Sequence, residues 1–312
     1  GKYGGSRGSE SAVDAALRWF KKHQVADGKW AVTTYQNNCT ENPKCEPGSV
    51  YADTDADTAC TAYALLCFLG AGYDHRMPSK YKATVKKGIE CLMAAQKGDG
   101  FFADKNYSHA VATMAMAEAY AMSMDPALKG PAQKGIDGVI ARQTKDGADA
   151  YGLGWDYQAP NPSRMDSSVS GWNVMALKSA SGAGLNVGNS MEGAKKWLRR
   201  AWEATNPKWK ELTDPYKDIS TFPYTWSAVD NKVDVGAPGG FEKDMAPVGA
   251  LCSVFLGHHA GDMMLESLCN YIMKYQFPDS YPCNTYYMYY NTLAIFQAGG
   301  ARWDKWLSLI HI

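Results

Sequence analysis

The feature that constrains this chain most is an internal repeat. The segment Ala16-Leu17-Arg18-Trp19-Phe20, then Gln24, then Asp27-Gly28-Lys29-Trp30, recurs as Gly88-Ile89-Glu90-Cys91-Leu92, Gln96, Asp99-Gly100-Phe101. It recurs again as Gly135-Ile136-Asp137-Gly138-Val139, Gln143, Asp146-Gly147. A fourth copy at Gly193–Leu198 keeps the helix but loses the Gln and the Asp-Gly turn, and a fifth at Met264–Tyr275 is fainter. Each copy reads as a charged amphipathic helix stopped by a Gly-containing turn. Self-similarity of this kind marks a repeat architecture in which each unit buries its apolar face on the next.

Between the copies lie helices with few charges and many Ala, Met and Leu residues: about Asp57–Gly70, Tyr107–Ser123, Asp166–Ala183, Asp244–Gly257 and Thr285–Ala298. A helix apolar nearly all round must be buried on nearly all sides. Alternation of the two kinds predicts an all-α fold, an α/α toroid of five to six outer and inner helix pairs, with Trp303–Leu309 as the sixth outer helix. Residues 1–10 are expected to be a disordered leader, because the chain opens at Gly1 without an initiator Met or signal peptide. Residues 11–312 are expected to form one domain, which the 206–241 region interrupts as an irregular insertion against one rim. Aligned without a gap, Asn106–Tyr120 and Asp166–Ala180 place Glu118 opposite Lys178. Buried charges need partners, so an interhelical ion pair is expected there.

Charge and cysteine content bound the partners. Lys+Arg and Asp+Glu both number 32, so no basic face points to nucleic acid or a membrane surface. Apolar runs such as Ala62–Gly72 fall short of the ~20 residues that span a bilayer. Of 8 cysteines, Cys60, Cys67, Cys91, Cys252 and Cys269 sit in apolar helical patterns, whereas Cys39 and Cys45 lie in a polar loop. That short loop suits a Cys39–Cys45 disulfide, and hence an exported protein, periplasmic or on the cell surface. Cys283 is left unassigned. Without a CxxC or HxxxH pair, no metal and no cofactor is expected.

The repeats resemble the QW motif of squalene-hopene cyclases, in which a helical aromatic precedes Gln, then Gly, then another aromatic. Trp19/Phe20, Gln24, Gly28 and Trp30 match it fully, Leu92, Gln96, Gly100 and Phe101 well, and Gln143 and Gly147 in part. The resemblance, to the terpenoid cyclase/protein prenyltransferase superfamily, runs from about residue 11 to 306. Thr61–Gly72 and Val174–Ala180 are especially similar to single-domain bacterial prenyltransferase/squalene-oxidase repeat proteins of unknown function. The resemblance implies that Gln and the turn aromatics tie outer helices together, and that an isoprenoid or other small apolar ligand fits the central cavity.

The family's acid motif, D-x-D-D-T-A, protonates an alkene. Here the chain reads Asp53-Thr54-Asp55-Ala56-Asp57-Thr58-Ala59, which puts Ala56 at the proton donor. Asp53 and Asp55 are displaced, and protonating an alkene needs a strong acid held in a dry site. The zinc set of prenyltransferases would fall nearest to Asp57, Cys60 and His109, at spacings unlike the family's. The Asp-x-Asp-x-Asp run fails as an EF-hand because Thr58 and Ala64 replace the required Gly and Glu.

Loops entering the inner helices gather the residues able to carry chemistry. The candidate catalytic set is Asp53, Asp55, Asp57, His109 and Asp166; the candidate ligand-binding set is Tyr107, Trp155, Asp156, Trp226, Tyr286, Tyr287 and Tyr290. Each has a plainer reading: Asp57, Asp166 and Asp244 as helix N-caps, His109 as a hydrogen-bonded core residue, and the tyrosines as filling. Three functions remain open on sequence: a divergent cyclase-like isomerase or lyase, a noncatalytic exported scaffold or binding protein, and a carbohydrate-active α/α-barrel enzyme with paired carboxylates and aromatic platforms.

Overall fold

A computed structural model describes residues 4–47, 55–147, 152–236, 244–277 and 284–310. Among them are 11 α-helices: α1 (Arg7–His23), α2 (Ala56–Gly70), α3 (Lys82–Ala95), α4 (Asn106–Ser123), α5 (Pro126–Ala141), α6 (Ser167–Gly182), α7 (Ser190–Thr205), α8 (Ala246–Phe255), α9 (Met263–Tyr275), α10 (Thr285–Ala298) and α11 (Gly300–Ile310). Odd-numbered and even-numbered helices are the expected outer and inner sets. α1 starts at Arg7, inside the stretch read as a leader. Ser6 and Ser9 close a reciprocal capping box there, satisfying donors that a bare helix start leaves open.

The chain falls into two compact units. The first comprises residues 1–141 and 176–187, the second 142–175 and 188–312, so α6 passes from the second into the first. In the first unit α4 packs on α2 and α5, and α2 on α3. Ala110, Val111, Ala112, Met116 and Ala117 are fully buried, as the apolar pattern of α4 requires. In the second unit α8 packs on α9 and α10, and α10 on α11. α8 is buried from Ala246 to Ser253. α10 is less enclosed than its sequence predicts, with Tyr289 and Phe296 about two-fifths exposed.

The insertion supplies two strands of a small antiparallel sheet. β1 (Met165–Asp166) pairs with β2 (Thr225–Trp226), and β2 pairs with β3 (Val233–Asp234). The edge of this hairpin therefore lies along the entry to α6.

The glutamines of the repeat tie helices together as the resemblance implies. Gln24 follows α1 and donates Nε2 protons to the Gly28 carbonyl at 2.8 Å and the Thr84 carbonyl of α3 at 3.0 Å. Gln96 follows α3 and donates to Gly100 and to Pro131 of α5, both at 2.9 Å. Gln143 follows α5 and donates to Leu153 at 2.7 Å and to Ser190 of α7 at 2.9 Å. One hydrogen closes the turn and the other reaches the next outer helix. After α7 stands Asn206, which instead bonds the Trp202 carbonyl of its own helix and the Thr221 carbonyl of the following loop, both at 2.8 Å. The turn aromatics then lie over helix glycines: a Cβ at Gly135 would sit 2.8 Å from the Phe102 ring, and one at Gly88 would sit 2.8 Å from Leu65 and 3.1 Å from the Trp30 ring.

Two expectations need correction. Among the described residues no ion pair joins Glu118 to Lys178. Lys178 lies just past the buried run of α6 and is exposed, so its ammonium stays hydrated and needs no partner. Nor are Cys39 and Cys45 bonded: both thiols are free, with sulfurs 3.3 Å apart against ~2.05 Å in a disulfide. The inference of export loses that support. Cys283 and Asp53 lie outside the described residues.

The turn geometry ranks two substitutions. Gly28 has φ +93° and a methyl there would sit 2.2 Å from the Lys87 carbonyl oxygen, whereas Gly147 has φ +58° and open space. Gly28→Ala should cost more than ~3 kcal/mol and Gly147→Ala ~1 kcal/mol in urea unfolding. Equal costs would show that the first turn does not pack as described.

Candidate functional site

In the first unit, the candidate acids are engaged with backbone and lysine. Asp55 precedes α2 and accepts the Lys105 N–H at 2.8 Å, fixing the start of α4. Asp57 lies within the first turn of α2 rather than at its cap. It accepts the Val32 N–H at 2.9 Å and pairs with Lys29 Nζ at 3.3 Å. The hydrogen bond to Asp57 raises the Lys29 ammonium above its ordinary range, against a smaller effect of burial. These carboxylates thus stitch the loop after α1 and the loop before α4 to one helix start.

His109 is wholly buried in α4. Its Nδ1 accepts the Phe102 N–H at 3.2 Å and its Nε2 donates to the Gly135 carbonyl at 3.0 Å. A carbonyl can only accept, so the proton sits on Nε2, and both nitrogens are used. The ring also lies against Phe101 and Phe102. Burial raises the Cys60 thiol, assisted by the charge of Asp57. Asp57, Cys60 and His109 form no metal-holding group among the described residues. Tyr107 is half-buried on the first turn of α4.

The second unit contains a denser polar constellation. Asp166 ends β1 and is fully buried; its Oδ1 accepts Ser168 Oγ at 2.6 Å and the Val169 N–H at 3.1 Å, capping α6. Its Oδ2 takes Arg164 Nη2 at 3.0 Å, while Arg164 Nη1 bonds Asp156. Asn161 Nδ2 donates to Asp156 at 2.9 Å. Burial opposes charge on Arg164, but Asp156 and Asp166 together outweigh it and raise its basicity. The guanidinium also covers the Tyr157 ring at 5.1 Å. Tyr157 and Tyr224 share a hydroxyl–hydroxyl bond of 3.1 Å. Burial, then that bond and the Asp166 charge, push the Tyr224 phenol well above its usual range.

Trp155 and Trp226 are buried beside this cluster. The Trp155 carbonyl accepts the Asp166 N–H at 2.8 Å, and Trp226 Nε1 donates to Asn231 at 2.9 Å. A cavity of about 240 Å³ opens along the β2–β3 hairpin, lined by Ser163, Thr225, Ser227, Asp230, Lys232 and Asp234 among others. Lys232 and Asp230 pair at 2.9 Å within it. Tyr286, Tyr287 and Tyr290 belong to a separate aromatic cluster on α10. Tyr286 lies 4.8 Å from Tyr290, which meets Trp172 edge-on at 5.7 Å. Asp244 caps the entry to α8 through the Ala246 N–H at 3.0 Å and accepts Thr221 Oγ1 at 3.2 Å. Burial raises its pKa against hydrogen bonds led by Tyr271.

Sequence reasoning missed Arg164, the residue that holds Asp156 and Asp166 together. Its signal was an arginine two positions before a buried helix-start acid, in a loop otherwise poor in charge.

Stapled helical hairpins with acids at the inner-helix starts define a protein of the α/α-toroid class. Within that class, residues 5–120 match the squalene-hopene cyclase C-terminal domain family, so the cyclase-like resemblance is carried by the first part of the chain. No curated protein sequence matches. An α-1,6-mannanase of Salegentibacter sp. HEL1_6, solved as an inactive variant with α-1,6-mannotetrose, is similar in structure. It has a TM-score of 0.53 and 11% identity over 88% of this chain and 72% of that one. An α-amylase from Clostridium perfringens gives a TM-score of 0.48 and 12% identity over 96% and 82%. At such identity the mannanase likeness shows the fold alone.

Two helix-start acids are predicted to behave oppositely. Asp166→Asn removes the charge that Arg164 and the α6 start require, and should lower stability by about 2–4 kcal/mol at pH 7. Asp244 has its pKa raised by folding, so the folded state binds more protons above the unfolded carboxyl pKa, and ionisation costs stability as pH rises. Asp244→Asn should therefore be neutral or stabilising at pH 7 and flatten the pH dependence between about 4 and 7. Urea titrations at several pH values check both.

Proposed function

We propose that this chain is a noncatalytic binding protein built on cyclase-like helical repeats. One observation carries the reading: each described candidate acid and His109 is already committed to holding a loop or helix start. Asp55, Asp57 and Asp166 accept backbone N–H groups, and Asp57 and Asp166 also face a lysine or arginine. A carboxyl that protonates an alkene must instead be kept as a strong acid facing an apolar ligand. Ala56 at the position of the family's proton donor agrees with this reading. The isoprenoid ligand rests on the family resemblance alone.

A second reading, a glycan ligand, is favoured by the cleft beside β2–β3. Its hydroxyls, carboxylates and Lys232 offer both donors and acceptors. The similar α-1,6-mannanase makes α-1,6-mannotetrose a sensible probe. Arg164 lies between Asp156 and Asp166, which suits binding better than acid–base hydrolysis at that pair.

The test is incubation of the full chain with squalene, geranylgeranyl diphosphate and α-1,6-mannotetrose, with products read by mass spectrometry. Unchanged substrates are expected in all three. A cyclised hydrocarbon or a shortened oligosaccharide, lost in Asp166→Asn or Asp55→Asn, would contradict the noncatalytic reading.

A further inference from the structure

At the end of α1, three metal-binding side chains converge. His23 is the last residue of α1 and is wholly buried. Cys39 is buried just after a short 3-10 turn at Tyr35–Asn38, and Cys45 follows it by one loop and is half-buried. His23 Nε2 lies 3.5 Å from Cys45 Sγ, the two sulfurs are 3.3 Å apart, and all three donor atoms lie within 4.8 Å of one another. We propose that His23, Cys39 and Cys45 form a Cys2His zinc site that clamps the 35–47 loop to the end of α1.

The donor geometry fits a metal rather than a covalent link. A tetrahedral zinc with bonds of about 2.3 Å to sulfur and 2.0–2.1 Å to nitrogen holds its sulfurs ~3.8 Å apart and sulfur from nitrogen by ~3.6 Å. The 3.5 Å nitrogen–sulfur separation matches its value; the 3.3 Å between sulfurs must widen by about 0.5 Å to take the metal, and is well beyond a ~2.05 Å covalent link. Two thiolates and an imidazole are the donor types that zinc takes in such sites.

The surroundings are those of a ligand set. His23 Nδ1 lies 2.7 Å from the Trp19 carbonyl, which can only accept, so the proton is fixed on Nδ1 and Nε2 is left as donor to a metal. A carbonyl on the far nitrogen is the usual partner of a metal-ligating histidine. The Trp19 indole stacks on the imidazole at 4.0 Å and its Nε1–H points to Cys45 Sγ at 3.4 Å. The Cys45 N–H donates to Cys39 Sγ at 3.3 Å. N–H donors on both sulfurs favour the thiolate that binds metal. Three protein ligands leave a fourth position, which water or a small anion completes on the half-buried Cys45 side. The expectation of a metal-free chain rested on the absence of a CxxC or HxxxH pair; a histidine supplied from another element needs neither spacing.

The full chain, purified with reductant and freed of metal, should bind about one Zn2+ in competition with a chromophoric chelator. Co2+ should give thiolate charge-transfer and intense visible bands of a tetrahedral site. The variants His23→Gln and Cys39→Ala/Cys45→Ala should each lose at least tenfold in zinc affinity while retaining wild-type helical circular dichroism. If a variant unfolds, thiol alkylation of the wild type provides the second measure: zinc should protect Cys39 and Cys45 together. Less than a tenth of an equivalent bound, equal binding by a folded variant, or a Cys39–Cys45 disulfide that forms in the presence of excess zinc would each overturn the proposal.

Discussion

The glutamine side-chain amide after each of the first three outer helices is the interaction on which the repeat depends. A helix end leaves carbonyls without intrahelical donors, and a turn buried between helices adds more of them. Nε2 carries two hydrogens. In Gln24, Gln96 and Gln143 one satisfies the turn and the other a carbonyl of the next outer helix. A turn carbonyl and a carbonyl of the next outer helix are thus joined through one planar group, the helix carbonyl accepting a second bond besides its intrahelical one. The glycines under Trp30 and Phe102 let that helix approach the ring closely.

The acids at inner-helix starts obey the same need. A loop that enters a buried helix brings backbone N–H groups with it, and a short carboxylate is a compact acceptor for them. Asp55, Asp57, Asp166 and Asp244 each take at least one such group. What separates them is the compensating charge. Asp57 has Lys29 and Asp166 has Arg164, whereas burial dominates at Asp244. An acid placed in this way is conspicuous in sequence whether or not it does chemistry.

Periodicity made the helices legible. The inner helix Thr285–Ala298 has the boundaries that its apolar run gives, and the others shift by one to a few residues. Repeats that lost their sequence signature were harder to read: Asn206 follows α7 where a glutamine follows the earlier outer helices, but its amide bonds α7 itself and the loop at Thr221. The Glu118–Lys178 pairing failed because a gapless alignment of two helices says which positions correspond, not which are buried. Cys39 and Cys45 were read as a pair because they are close in sequence. Their third neighbour, His23, comes from the preceding helix, and only the folded chain brings it there. Arg164 was hidden for a related reason, since its two acids lie on opposite sides of it along the chain.

The staple is tested most directly by exchange of the glutamine side-chain amide protons in the native protein, resolved by 15N labelling. Three Nε2 proton pairs, from Gln24, Gln96 and Gln143, should exchange orders of magnitude more slowly than that of the exposed Gln297. Exchange of all of them at the rate of a free glutamine amide would contradict the account.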